Sequence, residues 1–212
     1  MFIDDELYEN YESLIKQFHT EGTVLDLGTG TAPLAIKLAK SGYYVTGTDV
    51  STEMLEMAYN NMVEAGVKIN LFIHNILDTV NRDYDIITMS SDVINYLKDK
   101  DEMVQAFTNV SLAMNDESIF VFDFLRPNYL ERINGHYEEI LLPDGILKWS
   151  VQSTNIDHQV KHIVEIGNEK EIHIEQTYLA KEFNKMLKTS NLHVVKKLKL
   201  EERYIYVCKK VM

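Results

Sequence analysis

Residues 23–52, TVLDLGTGTAPLAIKLAKSGYYVTGTDVST, decide the fold. The apolar run Val24-Leu25-Asp26-Leu27 suits a short buried strand, Gly28-Thr29-Gly30 a turn, and Leu34, Ala35, Leu38 and Ala39 recur at helical spacing. A second strand starts at Tyr43 to Val45 and ends at Asp49, after which Ser51 opens another helix. The result is one βαβ unit. Its glycine turn marks the crevice at the carboxyl ends of the strands, where open parallel sheets bind ligands.

Downstream of this unit, strands and helices keep alternating. Ser51 to Ala65 is predicted helical, with Ser51 as cap, Glu53 in the first turn, Met54, Leu55, Ala58 and Met62 on the apolar face, and Gly66 as terminator. Strands are predicted from Val67 to about His74, over Tyr84–Met89 before Ser90-Ser91-Asp92, and over Ser118–Phe124. The helix Asp101–Met114 precedes the last of these, with Asp99 as cap and Glu102 three residues on. That order calls for a parallel sheet with helices on both faces. Upstream, Leu7, Tyr11, Leu14, Ile15 and Phe18 follow a helical repeat that caps the sheet, and Tyr8 and Tyr11 either line a pocket mouth or pack in the core.

Near residue 136 the period changes to two. Leu147, Trp149 and Val151, then Val160, His162, Val164 and Ile166, then Ile172 and Ile174 alternate with mostly polar residues, with turns at Pro143-Asp144-Gly145 and Gly167-Asn168. Residues 136–178 therefore read as an antiparallel β-meander inserted into an α/β core of residues 1–135 and 179–212. The helix Lys181–Thr189 returns to the core, and strands at about 193–200 and 202–210 form a closing antiparallel hairpin. The predicted main sheet has seven strands, five parallel plus this hairpin.

Composition narrows the function. The 212 residues, 45% of them hydrophobic, can bury a proper core, and no stretch is long and apolar enough to span a bilayer. The acidic opening MFIDDELYENYE does not resemble an export signal, which predicts a cytoplasmic protein. The single cysteine, Cys208, excludes an intramolecular disulfide and a multi-thiolate metal site, and reads as a small buried hydrophobe. A net charge of −12 works against nucleic-acid binding. Lys196, Lys197, Lys199, Arg203, Lys209 and Lys210 form a local exception, read as guards against edge pairing or as a phosphate-contacting patch. His158, His162 and His173 fall on neighbouring strands without a carboxylate evident on the same face, so no metal is predicted. Trp149 reads as an anchor of the meander.

A glycine turn of this kind serves two cofactor classes. A dinucleotide fingerprint needs G-x-G-x-x-G, and here its third position is Pro33. Asp26-x-Gly28-x-Gly30-x-Ala32 instead resembles the D-x-G-x-G-x-G signature of class I S-adenosylmethionine-dependent methyltransferases, with alanine in place of the last glycine. The segments FIDDELYENY, DLGTGTAPLAIKLA, VTGTDVSTEML, YDIITMSSDVINYL and FVFDF are similar to a group of small cytoplasmic Firmicute methyltransferases, hence bacterial, against which this chain starts late. The resemblance implies a Rossmann-like core and S-adenosylmethionine as cofactor. It places Gly28, Thr29 and Gly30 against the donor, Asp26 near its amino-acid end, Asp49 on the ribose hydroxyls, and Val50 and Met54 beside the adenine. Asn75-Ile76, with Asp78 competing, would meet the adenine amino group, and Ser90 completes the donor set.

On the acceptor side the resemblance points to the loops after the fourth and fifth strands, hence to Asp92, Asn95, Tyr96 and Asp123, with helix capping as the competing role for Asp92. An N-P-P-Y type tetrad is absent, since Ser91-Asp92-Val93-Ile94 stands there, which disfavours nucleobase and glutamine amides as acceptors. The function implied is methyl transfer to an O or N atom of a small molecule by a monomer or homodimer, the meander serving as lid. The alternatives are a methyltransferase for RNA or protein, a donor-binding module without turnover, and a nicotinamide oxidoreductase.

Overall fold

A computed structural model describes residues 5–142 and 145–211. Helix α1 (Asp5–Ile15) buries Leu7, Tyr8, Tyr11, Leu14 and Ile15 against the sheet, as its periodicity predicts. Strands β1 (Thr23–Leu27) and β2 (Tyr44–Asp49) pair in parallel with Asp26 opposite Gly47, joined through α2 (Pro33–Lys40). Pro33 occupies the first turn of α2, where its missing N–H costs nothing. Helix α3 (Thr52–Glu64) opens on Ser51, whose Oγ accepts from the Met54 N–H at 3.1 Å. Then come β3 (Asn70–Ile73), β4 (Tyr84–Met89), a 3-10 turn (Val93–Tyr96), α4 (Lys100–Leu112) and β5 (Met114–Leu125). Asp99 caps α4 through the N–H groups of Asp101 and Glu102.

The chain then leaves this sheet. Helix α5 (Pro127–Ile133) leads into β6 (Tyr137–Leu142), β7 (Gly145–Ser153), β8 (Gln159–Ile166) and β9 (Glu169–Gln176), a separate antiparallel sheet in sequential order. Of the turn read at Pro143-Asp144-Gly145, the first two residues lie outside the described residues. Helix α6 (Ala180–Thr189) returns to the core, and β10 (Leu192–Lys199) and β11 (Arg203–Lys210) close a seven-stranded sheet of order β10-β11-β5-β4-β1-β2-β3. Only β11 is reversed: it runs antiparallel to both β5 and β10, while β10 runs in the direction of the other five strands.

Two apolar layers sandwich the main sheet. On one face α4 and α6 cover an aromatic stack in which Phe124 and Phe183 lie 3.8 Å apart between ring centroids, with Phe107, Phe120, Phe122 and Tyr206 around them. The other face carries α1, α2 and α3 over Val24, Val45, Ile86, Val121 and Val207. Cys208 is fully buried in β11, and burial pushes its thiol well above the ordinary range, as a packed side chain rather than a nucleophile requires.

Several boundaries differ from the sequence reading for identifiable reasons. β3 is four residues long, shorter than the strand predicted from Val67 to about His74, and forms the sheet edge, so Phe72 and Ile73 are exposed. The strand–helix alternation breaks after β3, where Ile76, Leu77 and Val80 pack against the core from turns and extended chain. α5 and the 3-10 turn are too short to register as a helical period. In β9 the expected order inverts, leaving Ile172 and Ile174 exposed while Glu175 is buried.

Candidate active site

The glycine turn is braced from below by Asp26. Its two carboxylate oxygens accept the hydroxyls of Thr88, at 2.6 Å, and Thr29, at 2.7 Å, and the residue is 1% exposed. Burial, chiefly, lifts its carboxyl to about 6, against the pull of the two hydroxyls. Asp26 is therefore engaged by the protein itself rather than open at the surface of the crevice. Thr29 is likewise buried, its N–H held by the Thr48 carbonyl at 2.7 Å.

Above this brace the two glycines differ in what they serve. Both have positive φ, 70° at Gly28 and 54° at Gly30. A Cβ at Gly28 would fall 2.6 Å from Val93 Cγ2, so that glycine makes room for the 3-10 turn; a Cβ at Gly30 would meet nothing within 4 Å. The open volume lies over Gly30. Ala32 takes a left-handed φ of 67° to start α2, a conformation that costs a residue with a Cβ about 1–2 kcal/mol.

Asp49 ends β2 beside Gly30. Its Oδ2 accepts the Gly30 N–H at 2.9 Å and its Oδ1 the Ser51 N–H at 3.0 Å. A carboxylate has about four lone-pair directions, so an acceptor remains on each oxygen. Val50 and Met54 flank it with exposed apolar side chains. Asn75 is less free than the sequence suggested, because its Oδ1 accepts the Leu77 N–H at 3.0 Å in a local turn. Ile76 packs partly into the core, and Ser90 is buried at the end of β4.

After β4 the chain makes a sharp corner in which Ser91 and Asp92 take left-handed φ values of 60° and 55°. Two consecutive such residues persist only where surroundings impose them. Here Asp123 does so. It is fully buried and accepts the Ser91 N–H on Oδ1 at 2.8 Å, the Asp92 N–H on Oδ2 at 3.0 Å, and the Tyr11 hydroxyl on Oδ1 at 2.5 Å. Arg203 completes the cluster, its Nη1 donating to Asp123 Oδ2 at 2.6 Å and to Asp92 Oδ1 at 2.7 Å. Burial raises the Asp92 carboxyl to about 7; Arg203 pulls it down, and the charges of Glu175 and Asp123 push it up. The same acids hold Arg203 above its usual range against its own desolvation.

Among the acceptor-side candidates, Asp123 is thus the hub that holds the corner, and Asp92 is its ion-paired neighbour with no side-chain capping bond. Asn95 is fully buried: its amide donates to the Gln176 carbonyl at 2.8 Å and its Oδ1 accepts the Leu125 N–H at 2.9 Å. It ties the corner to the second sheet and presents no free group. Tyr96 is 53% exposed overall, and desolvation first, then the charges of Glu175 and Asp92, push its hydroxyl well above the ordinary range.

Two residues in this neighbourhood, Arg203 and Glu175, escape the sequence reading as site residues. By sequence Arg203 groups with the lysines of the closing hairpin; the pairing of β11 with β5, Arg203 opposite Leu125, sets it diagonal to Asp123. Glu175 and His162 sit on one face of the meander with His162 Nε2 3.2 Å from Glu175 Oε2. The carboxylate that had been missing from the histidine face is therefore present. Even so, no group of three or more metal-ligating side chains forms among the described residues. Trp149 packs beside Val151 and Leu130 as an anchor, and its Nε1 donates to His162 Nδ1 at 3.1 Å.

Comparison with known proteins agrees with this geometry. Residues 24–115 match the methyltransferase domain family. A provisionally named methyltransferase of Geobacillus sp. strain WCH70 is 27% identical over 73% of this chain, and the similarly named YqeM of Bacillus subtilis strain 168 is 33% identical over 49% of it. The chain spans 66% of the length of the first relative and 42% of the second. A solved S-adenosylmethionine-dependent methyltransferase from Clostridium acetobutylicum superposes with a TM-score of 0.82 at 24% identity, over 97% of this chain and 90% of that one. CalS10, an amino pentose methyltransferase from Micromonospora echinaspora with S-adenosylmethionine bound, gives 0.77 at 16% identity over 98% and 91% of the two chains. KedS8, a sugar N-methyltransferase from Streptoalloteichus sp., gives 0.77 at 13% identity over 97% and 87%.

The strand order, the glycine turn and the acid ending β2 define a class I S-adenosylmethionine-dependent methyltransferase fold. The match to the methyltransferase domain family covers residues 24–115, under half of the chain. S-adenosylmethionine, the cofactor expected from the glycine signature, agrees with the domain and with the donor bound in CalS10. No helix among the described residues is long and apolar enough to cross a membrane.

Proposed function

We propose that this chain transfers a methyl group from S-adenosylmethionine to an O or N atom of a small-molecule acceptor. One observation carries the reading: Asp49 bridges the Gly30 and Ser51 N–H groups, keeps an acceptor on each oxygen, and sits beside Gly30, where a Cβ would meet nothing within 4 Å. Two vicinal hydroxyls suit that carboxylate, and charge-assisted bonds of this kind are worth about 1.5–3 kcal/mol each. Val50 and Met54 supply apolar cover for a purine beside it. Asp26 acts through the turn it braces, and Asn75 through its backbone or its remaining lone pair.

Bound S-adenosylmethionine supplies an activated methyl group on its sulfonium. The protein's part is to align the acceptor and exclude water, an orientation effect worth up to about 7–11 kcal/mol. In this reading the Ser90-Ser91-Asp92 corner forms the floor on the acceptor side, Tyr8 and Tyr11 hold it from α1, and the meander 136–178 is the lid that selects the acceptor. The sugar and amino pentose methyltransferases among the structural neighbours support a small-molecule acceptor over RNA or protein. So does the capture of Arg203 in the interior, which removes it from the basic surface that a nucleic acid would need. The test is incubation with methyl-labelled S-adenosylmethionine and a fractionated cell extract. Label in low-molecular-weight products supports the reading; label confined to RNA or protein overturns it.

A further inference from the structure

The donor turn and the corner after β4 meet at Val93. This residue opens the 3-10 turn and directly follows the left-handed pair Ser91 and Asp92. Both its methyls crowd the place a side chain at Gly28 would take, Cγ2 at 2.6 Å and Cγ1 at 2.8 Å from a Cβ there. The corner is therefore seated on the turn to which the donor is assigned, and its seating depends on what holds it from behind. Asp123 holds it with both oxygens: Oδ1 accepts the Ser91 N–H and the Tyr11 hydroxyl, Oδ2 the Asp92 N–H and Arg203 Nη1. Four donors fill the about four lone-pair directions of a carboxylate, so none is left for a substrate. Tyr11, 0% exposed in α1, also reaches the Met89 carbonyl at 2.9 Å and so joins the last residue of β4 to β5. Tyr8, three positions earlier on the same helix face, has its hydroxyl 3.0 Å from Ser91 Oγ.

We infer that Tyr11 is a positioning residue of methyl transfer, acting through Asp123 on the Ser91-Asp92 corner, and that Val93 passes the corner's position on to the donor turn. This rests on the donor reading above. Transfer requires nucleophile, methyl carbon and sulfur in line, and a misplacement of about 1 Å can cost about 100-fold in rate. The spacing between the two halves of the site is set on one side by the Val93 methyls over Gly28 and on the other by the Asp123 hub. Tyr11 is wholly buried and keeps its proton, because burial first and then the charge of Asp123 raise its hydroxyl well above the ordinary range. It stays a donor to the hub and does not act on the substrate. Loss of that hydroxyl should loosen the acceptor half while the donor half, braced separately by Asp26 and Thr29, keeps its affinity.

The test compares the wild-type chain with Tyr11→Phe, which keeps the packed ring and removes only the hydroxyl, and with Val93→Ala. Calorimetric titration with S-adenosylmethionine comes first, and all three proteins should bind it equally; a wild type that binds none contradicts the donor reading, not this one. Amide hydrogen exchange is then followed by mass spectrometry in peptides covering 23–31 and 88–95. S-adenosylmethionine should slow exchange in both peptides of the wild type; in each variant the protection should persist over 23–31 and be lost over 88–95. With methyl-labelled S-adenosylmethionine and a metabolite extract, both variants should show a maximal rate lower by about 10-fold or more at an unchanged KM for the donor. A purely structural role would not produce that split. The contact itself is checked in Gly28→Ala, whose thermal midpoint should recover in part when Val93→Ala clears the space. Corner protection and turnover equal to the wild type in both variants, donor affinity falling in step with turnover, or a double variant no more stable than Gly28→Ala would overturn the proposal.

Discussion

Arg203 reaches across from the last strand to Asp123 at 2.6 Å, and this buried pair fixes the corner after β4. Asp123 is fully buried and already accepts two backbone N–H groups and the Tyr11 hydroxyl. Removing the guanidinium would leave Asp92 and Asp123 side by side without a counter-charge. Arg203→Met is expected to destabilise the fold by about 3–5 kcal/mol, the cost typical of breaking a buried pair on one side. Urea unfolding at neutral pH measures it, and a loss below about 1 kcal/mol would mean the cluster holds nothing.

The two glycines of the turn should separate stability from binding. Gly28→Ala meets Val93 at 2.6 Å as well as an unfavourable φ, so its main effect should be on unfolding, with a loss of about 2 kcal/mol or more. Gly30→Ala meets no protein atom, so its methyl should cost about 1–2 kcal/mol in backbone strain while obstructing the donor. Calorimetry on the two variants should show the larger affinity loss at Gly30→Ala.

Asp26 makes folding stability depend on pH. Its folded pKa, about 6, lies above the ordinary carboxyl value of 3.8, so the native state holds the proton more tightly. Its stabilising contribution is complete below pH 4 and disappears as pH rises through 6, a change of about 3 kcal/mol. The stability difference between wild type and Asp26→Asn should therefore shift against the wild type between pH 4 and 6 and become flat above pH 7. Denaturant titrations across that range would show it.

The parts of the fold that can be read from sequence are those with a repeating period. The βαβ unit, the caps at Ser51 and Asp99, and the alternation of Leu147, Trp149 and Val151 with more exposed neighbours all follow from local pattern. The candidate site is legible only in its donor half, where Gly28, Gly30 and Asp49 lie close along the chain. The acceptor half joins Tyr11, Asp92, Asp123, Glu175 and Arg203 from separate elements, and no local pattern links Asp92 to a residue 111 positions away. Asn95 illustrates the limit: its residue type suits substrate contact, yet both ends of its amide are used to tie the corner to the meander.

The most direct test of the central claim is calorimetric titration of the wild type and Asp49→Ala with S-adenosylmethionine, S-adenosylhomocysteine and NAD. Both sulfur ligands should bind the wild type, NAD should not, and Asp49→Ala should bind the donor at least about 10-fold more weakly, one charge-assisted hydrogen bond being worth that much. Binding of NAD without either sulfur ligand, or an Asp49→Ala affinity equal to the wild type, would contradict the account.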